Sequence, residues 1–370
     1  MSAAPPAPSA SRIRGSVCIV GTGLLGASIG HGLCARGLDV ILHDISPSNL
    51  RLALDYGAGR PAQPDDDPVL VVVAVPPDAT AQAVLDALGA WPNATVTDVA
   101  SVKMGIGAEL LESGADLSRY VGSHPLAGRE RGGAIAARAD LFVGRPWVIC
   151  AEEFSDARRI HEVEGLVLEL RAVPVTMTAR EHDASVAVVS HAPQVVSSLL
   201  ASRLSAASQG ALELAGQGLR DTTRIAASDP RLWVQILAAN SGPVLEVLDA
   251  FRADLDRVIA SLRDPDASGS RRSIADTLSA GNAGVARLPG KHGLSDRYAQ
   301  LVVMVDDRPG ELARLLGEVG EIGINMEDLR LEHSPGAAIG LAEISVAPDV
   351  ADRLVRELQS RGWTIAGALT

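Results

Sequence analysis

Short runs of β-branched residues alternate with helical segments between residues 16 and 150. This alternation is typical of βαβ units that stack into a parallel sheet with helices on both faces. The runs that predict strands are 17–20, 40–43, 69–75, 95–98, 120–122 and 147–150. The pattern therefore predicts a doubly wound α/β domain over residues 16–152.

The pattern changes after the last of these strands, where apolar positions follow a helical period. Long amphipathic segments at 179–205 and 231–262 predict a mainly helical domain over 153–285. A stretch containing Gly and Pro at 286–296 is typical of an interdomain linker. Beyond it, residues 297–370 show the order strand, helix, strand, strand, helix, strand, which indicates a small α+β module.

Composition places the chain among ordinary globular proteins. Its 370 residues exceed the usual size of one domain, and 45 acidic against 33 basic side chains give a net charge of -12. That charge repels nucleic acid and anionic lipid, so neither is an expected partner. Three cysteines without a CxxC pair indicate no disulfide framework and no cysteine metal site, as in a reducing cytoplasm. Residues 1–15, rich in Ala, Pro and Ser, predict a disordered leader, and the longest apolar run, 69–75, is far short of the ~20 residues of a membrane span.

A glycine-rich turn follows the first predicted strand. The segment Gly21-Thr22-Gly23-Leu24-Leu25-Gly26 matches the pattern GxGxxG between a buried strand and the start of a helix. The first glycine allows a tight turn, the second lets the backbone approach a pyrophosphate, and the third lets helix and strand pack closely. This arrangement predicts a dinucleotide site on a Rossmann-type sheet.

The end of the second strand indicates which dinucleotide binds. Asp44 lies 18 residues after Gly26, near the ~20-residue offset of a carboxylate that hydrogen-bonds a ribose hydroxyl. Asp44 would repel the 2′-phosphate of NADP, and the next basic residue is Arg51. The expected cofactor is therefore NAD, with Val75 and Pro76 lining its crevice at the end of the third strand.

Two polar side chains follow strands at the cofactor end of the sheet. Ser101 lies after the strand at 95–98, beside the expected nicotinamide pocket, and it could also serve as a helix N-cap. His124 lies in a loop containing Gly and Pro at the same end. A near-neutral pKa suits a histidine to accept a hydroxyl proton as a hydride leaves the same carbon.

The helical domain contributes two further candidates. Arg224 lies in a Thr-rich polar run between apolar helices, where a buried arginine would need a carboxylate partner, for which a substrate is one candidate. Histidines such as His182 and His191 on a long helix are more often structural. His191, however, precedes Pro193, and a proline opens a helix and aims its neighbours into a cleft. The sequence has no HExxH motif to support metal catalysis.

Together these segments resemble the prephenate and arogenate dehydrogenases, which make tyrosine precursors. The motifs that carry the resemblance, in the family's order and spacing over residues 16–280, are VGTGLLGASIG, DVASVK, GSHPLAGRE, SHAPQ and RDTTRIAASDPRLW. The resemblance implies NAD-dependent oxidative decarboxylation of a cyclohexadienyl substrate. A hydride passes to NAD, the ring carboxylate leaves as carbon dioxide, and the ring becomes aromatic.

The same resemblance implies roles for individual residues. His124 matches the catalytic histidine that hydrogen-bonds the substrate hydroxyl, and Ser101 matches the serine that orients it. Arg224 matches the arginine that binds a substrate carboxylate. Ser228 and Trp233 fall at pocket positions of the family.

Two positions depart from the family pattern. Gln194 stands where members that prefer prephenate often carry a second histidine, three residues after the one at His191. Arg129 replaces the threonine that frequently follows HPxAG. Both side chains would face the side-chain end of the substrate, so the sequence leaves both prephenate and arogenate open as substrates.

Residues 298–370 resemble an ACT domain, an amino-acid sensor with the order βαββαβ. The matching stretches are VDDRPGEL and GINM, with Pro309, Gly310 and Asn325 as expected regulatory positions. Because the end product of a pathway is the usual feedback inhibitor, tyrosine is the expected effector. The alternative is that the module serves only for dimerisation. This module and the long apolar helices both favour a homodimer.

Two other activities stay open at this point. A 4-amino-4-deoxyprephenate dehydrogenase would share most motifs, although a side branch has less need of a tyrosine sensor. A non-catalytic NAD and amino-acid sensor would have no need to keep Ser101, His124 and Arg224 together. We therefore expect a prephenate dehydrogenase, with arogenate dehydrogenase as the alternative.

Overall fold

Two compact units make up the chain in a computed structural model. The first comprises the chain up to Ala207 together with Thr222–Phe251, and the second comprises Ser208–Asp221 and the chain from Arg252 onward. The residues that the structure describes are 11–127, 133–288, 298–333 and 339–369.

One eight-stranded sheet forms the centre of the first unit. Its strands are β1 (Val17–Val20), β2 (Val40–His43), β3 (Arg60–Pro61), β4 (Leu70–Val73), β5 (Thr95–Asp98), β6 (Tyr120–Pro125), β7 (Pro146–Cys150) and β8 (Val173–Met177). Their order is β3-β2-β1-β4-β5-β6-β7-β8, and neighbours are parallel except β6 and β7. The predicted doubly wound α/β fold is confirmed. The strand order reverses between β1 and β4, which is where dinucleotides bind in such sheets.

Helices cover both faces of this sheet. They are α1 (Leu24–Cys34), α2 (Pro47–Asp55), α3 (Pro77–Ala90), α4 (Met104–Glu112) and α5 (Ala157–Glu169). Because successive side chains of a strand point to opposite faces, Ile19 belongs to one apolar core and its neighbour Cys18 to the other. This double-sided burial explains why the strands are continuous apolar runs in the sequence.

Both ends of this α/β region differ from the sequence prediction. The sheet extends past residue 152, since β8 pairs with β7 and α5 packs against both strands. At the other end, part of the predicted leader is folded: the Ser11 hydroxyl and the Arg12 N–H donate hydrogen bonds to Glu169, and Ile13 is buried. The buried Glu169 carboxylate, which also pairs with Arg36, needs these donors.

The middle of the chain is helical, as predicted. Its α-helices are α6 (Ala179–Val186), α7 (Ala192–Arg203), α8 (Gln209–Glu213), α9 (Gln217–Thr223), α10 (Pro230–Ala239), α11 (Ser241–Arg263) and α12 (Ser270–Val285). A π-helical turn, Ala187–His191, joins α6 to α7, and a 3₁₀ turn, Arg224–Ala227, follows α9. Pro193 opens α7 directly after the π turn, so the backbone is irregular where the proline predicts it.

The stretch Ala179–Ala206 is long and apolar enough to cross a membrane. Its buried positions, however, include His182, Asp183 and His191. These side chains hydrogen-bond to other elements of the first unit. Such bonds are expected of a core helix and not of a lipid-facing one.

The second unit contains the predicted βαββαβ module. Its elements are β9 (Ala299–Asp306), α13 (Glu311–Ile322), β10 (Asp328–His333), β11 (Ile339–Val346), α14 (Pro348–Ser360) and β12 (Thr364–Leu369). The strands form an antiparallel sheet in the order β10-β11-β9-β12, and its core includes Leu301, Ile344 and Leu354. The predicted strand and helix order is confirmed. Most of the predicted linker, 289–296, lies outside the described residues.

Candidate active site

The glycine turn after β1 has the shape of a pyrophosphate cradle. Gly21 has a φ of +97°, and a Cβ there would lie 2.5 Å from the Ala74 carbonyl oxygen. A Cβ on Gly26 would lie 1.9 Å from the Gly21 carbonyl oxygen, whereas a Cβ on Gly23 would meet no atom within 4 Å. Gly21 and Gly26 therefore close the turn, and Gly23 leaves the surface open to a ligand. No side chain caps the start of α1, so its N–H groups can bind phosphate.

Asp44 lies beside this cradle, directly after β2. Its carboxylate accepts hydrogen bonds from the Thr22 N–H and hydroxyl, each at 2.7 Å, and from the Ser46 N–H at 2.8 Å. The next residue, Ile45, is fully exposed and uncharged. An anchored anion with a neutral neighbour suits the free ribose hydroxyls of NAD and disfavours a 2′-phosphate.

The other predicted cofactor residues surround the same crevice. β4 ends at Val73, two residues earlier than predicted, so Val75 and Pro76 lie in the loop before α3. That loop borders the glycine turn, since Ala74 and Val75 are the neighbours of Gly21. Leu24 and Leu25 form the first residues of α1, at the rim of the crevice. The residues present thus fit a dinucleotide across the point where the strand order reverses.

A buried charge network fixes the segment between β5 and α4. The Asp98 carboxylate pairs with the Lys103 ammonium and accepts hydrogen bonds from the Tyr120 hydroxyl at 2.7 Å and the Ala100 N–H at 2.8 Å. Ser101 lies half-buried within this segment. The helix begins only at Met104, so the alternative that Ser101 is its N-cap is wrong.

Asp183 performs that capping role from another helix. Its two carboxylate oxygens accept the N–H groups of Lys103 at 2.9 Å and Met104 at 2.8 Å. These bonds satisfy the first free donors of α4 and tie α6 to the segment that carries Ser101. The sequence suggested no partner for Asp183.

His124 lies near the end of β6, where neighbouring side chains hold the strand in place. The Ser123 hydroxyl donates to the Asp98 carbonyl oxygen at 2.8 Å and accepts from the Trp147 Nε1–H at 3.1 Å. The His124 Nδ1 lies 2.9 Å from the His182 Nε2, and the two rings meet edge to face. The His182 Nδ1 in turn lies 2.7 Å from the Asp183 carboxylate.

This environment keeps the His124 imidazole neutral. Burial lowers the pKa of His124 well below its ordinary value of 6.5, and electrostatic interactions with His182, Lys103 and His191 lower it further. A neutral imidazole at physiological pH has one nitrogen free to accept a proton. At physiological pH His124 is therefore already in the unprotonated form that a general base needs.

His191 lies close to this pair of histidines. The π turn places its ring in the interior, where its Nδ1 is 2.9 Å from the Asn240 Nδ2 and Trp233 packs edge-on at 5.9 Å. Burial lowers the pKa of His191 to about 4. The structure thus brings His191 and Trp233 together, and it adds Asn240, for which the sequence contained no signal.

The predicted carboxylate-binding residues lie on a neighbouring turn. Arg224 is exposed on the 3₁₀ turn that packs against α7, so the prediction that it is buried is wrong. A four-residue turn on the surface of one helix is too short to enclose a guanidinium. The Ser228 hydroxyl donates to the Ile225 carbonyl oxygen at 2.7 Å and closes this turn, while α7 carries the buried Gln194. Arg129 lies outside the described residues.

The predicted regulatory residues lie at two ends of the α13 region in the second unit. Gly310 has a φ of +93° directly before α13, with Pro309 exposed beside it. Asn325 is exposed beyond the helix, and its Nδ2 donates to the Glu327 carboxylate at 2.9 Å. A left-handed φ explains why glycine occupies the turn.

A glycine turn shaped to hold a dinucleotide, a carboxylate anchored beside it and a neutral histidine on a doubly wound sheet are the features of an NAD-dependent oxidoreductase of the dehydrogenase class. Two family models match the chain: the prephenate dehydrogenase nucleotide-binding domain over residues 29–176, and the prephenate dehydrogenase dimerization domain over residues 178–276. The chain is also 37% identical to the probable prephenate dehydrogenase NovF of Streptomyces niveus, over 93% of this chain and 98% of that one. The chain belongs to the prephenate dehydrogenase family.

Solved structures agree with this assignment. The prephenate dehydrogenase of Aquifex aeolicus, in complex with hydroxyphenyl propionate and NAD+, is 25% identical with a TM-score of 0.64, over 74% of this chain and 98% of that one. The arogenate dehydrogenase of Synechocystis is 26% identical with a TM-score of 0.60, over 73% of this chain and 99% of that one. The predicted family and the NAD cofactor are confirmed.

Proposed function

We propose that this chain catalyses the NAD-dependent oxidative decarboxylation of prephenate to 4-hydroxyphenylpyruvate. The observation that carries the proposal is the neutral His124 at the cofactor end of the sheet, held by His182 and next to Ser101's segment. Membership of the prephenate dehydrogenase family supports the choice of substrate.

Residues around the crevice are proposed to make the contacts with the cofactor. The N–H groups at Gly23 and the start of α1 bind the pyrophosphate, Asp44 binds a ribose, and Val75 with Pro76 lines the opposite wall. Bound there, NAD supplies the acceptor for a hydride.

The substrate chemistry centres on His124. As the hydroxyl-bearing ring carbon gives up its hydride, the His124 Nε2 takes the hydroxyl proton, with Ser101 orienting the hydroxyl group. The bond from the ring to its carboxylate then breaks, and its electron pair makes the ring aromatic. The proton on His124 returns to the ring oxygen. The products are therefore carbon dioxide, NADH and a phenol, with no net proton released.

The remaining site residues bind the substrate's carboxylates and side chain. Arg224 supplies positive charge from the 3₁₀ turn, with Ser228 closing that turn. His191 contributes from the π turn, Gln194 from α7 and Trp233 from α10. Arg129 is the second cation proposed for the substrate.

The test is the initial rate of NADH formation by the purified chain with NAD and either prephenate or arogenate. We expect turnover of prephenate, and a His124→Asn variant that loses at least ~100-fold in kcat with NAD affinity little changed. Turnover of arogenate alone would replace the proposed substrate. No turnover of either substrate by a chain that binds NAD would favour a sensor without catalysis.

We further propose that the chain forms a cytoplasmic homodimer regulated by tyrosine. The match to a dimerization domain supports the first point, and exposed apolar side chains such as Val189 and Leu199 on its helices agree with it. Tyrosine is proposed to bind at Pro309, Gly310 and Asn325. Titration calorimetry with tyrosine should give binding that Asn325→Ala weakens, whereas absence of heat with the parent chain would indicate a structural module.

A further inference from the structure

Three buried polar residues join His124 to His191 in one hydrogen-bonded chain. The order is His124, His182, Asp183, Asn240 and His191, with consecutive contacts of 2.9, 2.7, 2.9 and 2.9 Å. Asp183 contributes two different groups, since its carboxylate contacts His182 and its carbonyl oxygen contacts Asn240. The hydrogen-bonded chain therefore passes through two residues of α6, His182 and Asp183.

The hydrogens of this chain can be assigned from its acceptors. The Asp183 carboxylate also receives the N–H groups of Lys103 and Met104, so it acts as an acceptor and the His182 Nδ1 must carry the hydrogen. In a neutral His182 the Nε2 is then bare and accepts. The hydrogen between the two rings consequently belongs to the Nδ1 of His124, and the Nε2 of His124 carries none.

At the other end of the hydrogen-bonded chain, the acceptors place the hydrogen of His191 on its other ring nitrogen. The Asn240 Nδ2 contacts the Asp183 carbonyl oxygen, which only accepts, so this atom is the amide's NH₂ group. The same NH₂ group then donates to the His191 Nδ1. In a neutral His191 the hydrogen therefore sits on Nε2, which becomes a donor.

We infer that His182, Asp183 and Asn240 are positioning residues that hold His124 and His191 in opposite tautomers, one presenting a base and the other a hydrogen-bond donor to the same substrate. The inference deepens the proposed function and rests on it for the substrate. The arrangement gives Asp183 a second task besides capping α4. It also means that the proton taken by His124 is stabilised through His182 by the Asp183 carboxylate.

The groups that face His124 come from several elements. They are His182 and Asp183 of α6, His191 of the π turn, and Lys103 before α4, whose charge is balanced by Asp98. Among these, only the connection through His182 reaches a His124 nitrogen directly in the described residues. Changing residue 182 should therefore alter the base itself and not merely its surroundings.

A direct test is the ¹⁵N spectrum of the histidine side chains of the full chain at about pH 7. The expected result is hydrogen on Nδ1 in His124 and on Nε2 in His191, with signals assigned by His124→Asn and His191→Gln. Hydrogen on the Nε2 of His124, or on the Nδ1 of His191, would overturn the inference.

Kinetics of matched variants supply the second test. His182→Gln keeps an acceptor oxygen within reach of the His124 Nδ1, whereas His182→Met removes it. We expect His182→Met to lower kcat about 100-fold with little change in KM, and His182→Gln to recover at least about 10-fold of that loss. Equal activity in the two variants would mean that residue 182 only fills space.

Asn240→Leu tests the other arm, because it removes the donor that sets the His191 tautomer. We expect a KM for prephenate raised about 10-fold, with a smaller change in kcat. An unchanged KM would remove Asn240 from the positioning chain. NAD affinity and Tm, measured in parallel, identify a variant that is merely misfolded.

These outcomes separate the inference from the function on which it rests. If the protein shows the expected tautomers but turns over neither prephenate nor arogenate, the proposed function is wrong and the tautomer assignment is still correct. If the protein turns over prephenate but shows the opposite tautomers, the proposed function is correct and the tautomer assignment is wrong.

Discussion

At the scale of single residues, the environment of His124 sets the pH range of activity. A general base works only when unprotonated, and burial together with nearby positive charge lowers the pKa of His124 below 6.5. We therefore expect kcat/KM to stay level as pH falls through 6.5 and to decline only below it. The measurement is kcat/KM between about pH 5 and 8. A decline centred at or above the ordinary histidine pKa would contradict the burial argument.

His191 makes a separate prediction, for stability. Its folded pKa of about 4 lies below the unfolded value of 6.5, so the unfolded chain binds a proton more readily. Stability from this group is present above pH 6.5 and is lost as pH falls toward 4, by on the order of 2–3 kcal/mol. In thermal melts, the Tm of His191→Gln should fall less between about pH 7 and pH 4 than the Tm of the parent chain. His161→Gln, at an exposed position, is the control and should follow the parent chain.

Asp44 makes a prediction about cofactor choice. Its carboxylate is held against the glycine turn and would repel a 2′-phosphate. We expect kcat/KM to be higher with NAD than with NADP. Asp44→Asn should lower the ratio of kcat/KM for NAD to kcat/KM for NADP by about 10-fold, mainly by raising kcat/KM for NADP. An unchanged ratio in the variant would place the discrimination elsewhere.

A side chain that directly follows a strand is predictable from the sequence as a neighbour of the ligand crevice. His124 and Ser101 stood out because strand ends of a doubly wound sheet form the ligand crevice. The helical position of His182 predicts only a structural role, since it contains no sign of a partner 58 residues away at His124. Asn240 was missed for the same reason: hydrogen-bond partners distant in sequence leave no local pattern.

At the scale of elements, the β1–α1 turn separates two roles for glycine. A Cβ at Gly26 would collide with the backbone of Gly21, whereas one at Gly23 meets open space. Gly26→Ala should therefore lower stability by about 1–3 kcal/mol, seen as a lower Tm. Gly23→Ala should keep its Tm and weaken NAD binding by about 10-fold, measured by fluorescence titration. A Gly23→Ala chain that binds NAD normally would show that the pyrophosphate does not approach this residue.

The helix that begins at Thr178's cap shows what periodicity predicts and what it misses. The amphipathic pattern predicted one long helix over 179–205, and a helix occupies that stretch. Its π turn was not predicted, although Pro193 indicated an opening. His191 is the last residue of this turn and is buried.

At the scale of the whole molecule, the apolar side chains left exposed on the helices predict self-association. Light scattering should give a mass about twice the 38.3 kDa of one chain. Leu199→Glu on α7 should lower that mass, since Leu199 is 61% exposed within the matched dimerization domain. Leu111→Glu, at a residue 58% exposed on α4 of the nucleotide-binding half, is the control. Dissociation by the control alone would move the interface to the other half of the chain.

The sequence by itself determined the doubly wound sheet, the glycine turn with Asp44, the helical region and the βαββαβ order. These features follow from periodicity and from motifs whose residues lie close together in the chain. Tertiary structure alone decided that β8 joins the sheet, that Arg224 is exposed, and that Asp183 both caps α4 and contacts His182. Each of these depends on packing between segments far apart in sequence. Such packing depends on the three-dimensional arrangement of whole elements, which no local pattern of residues records.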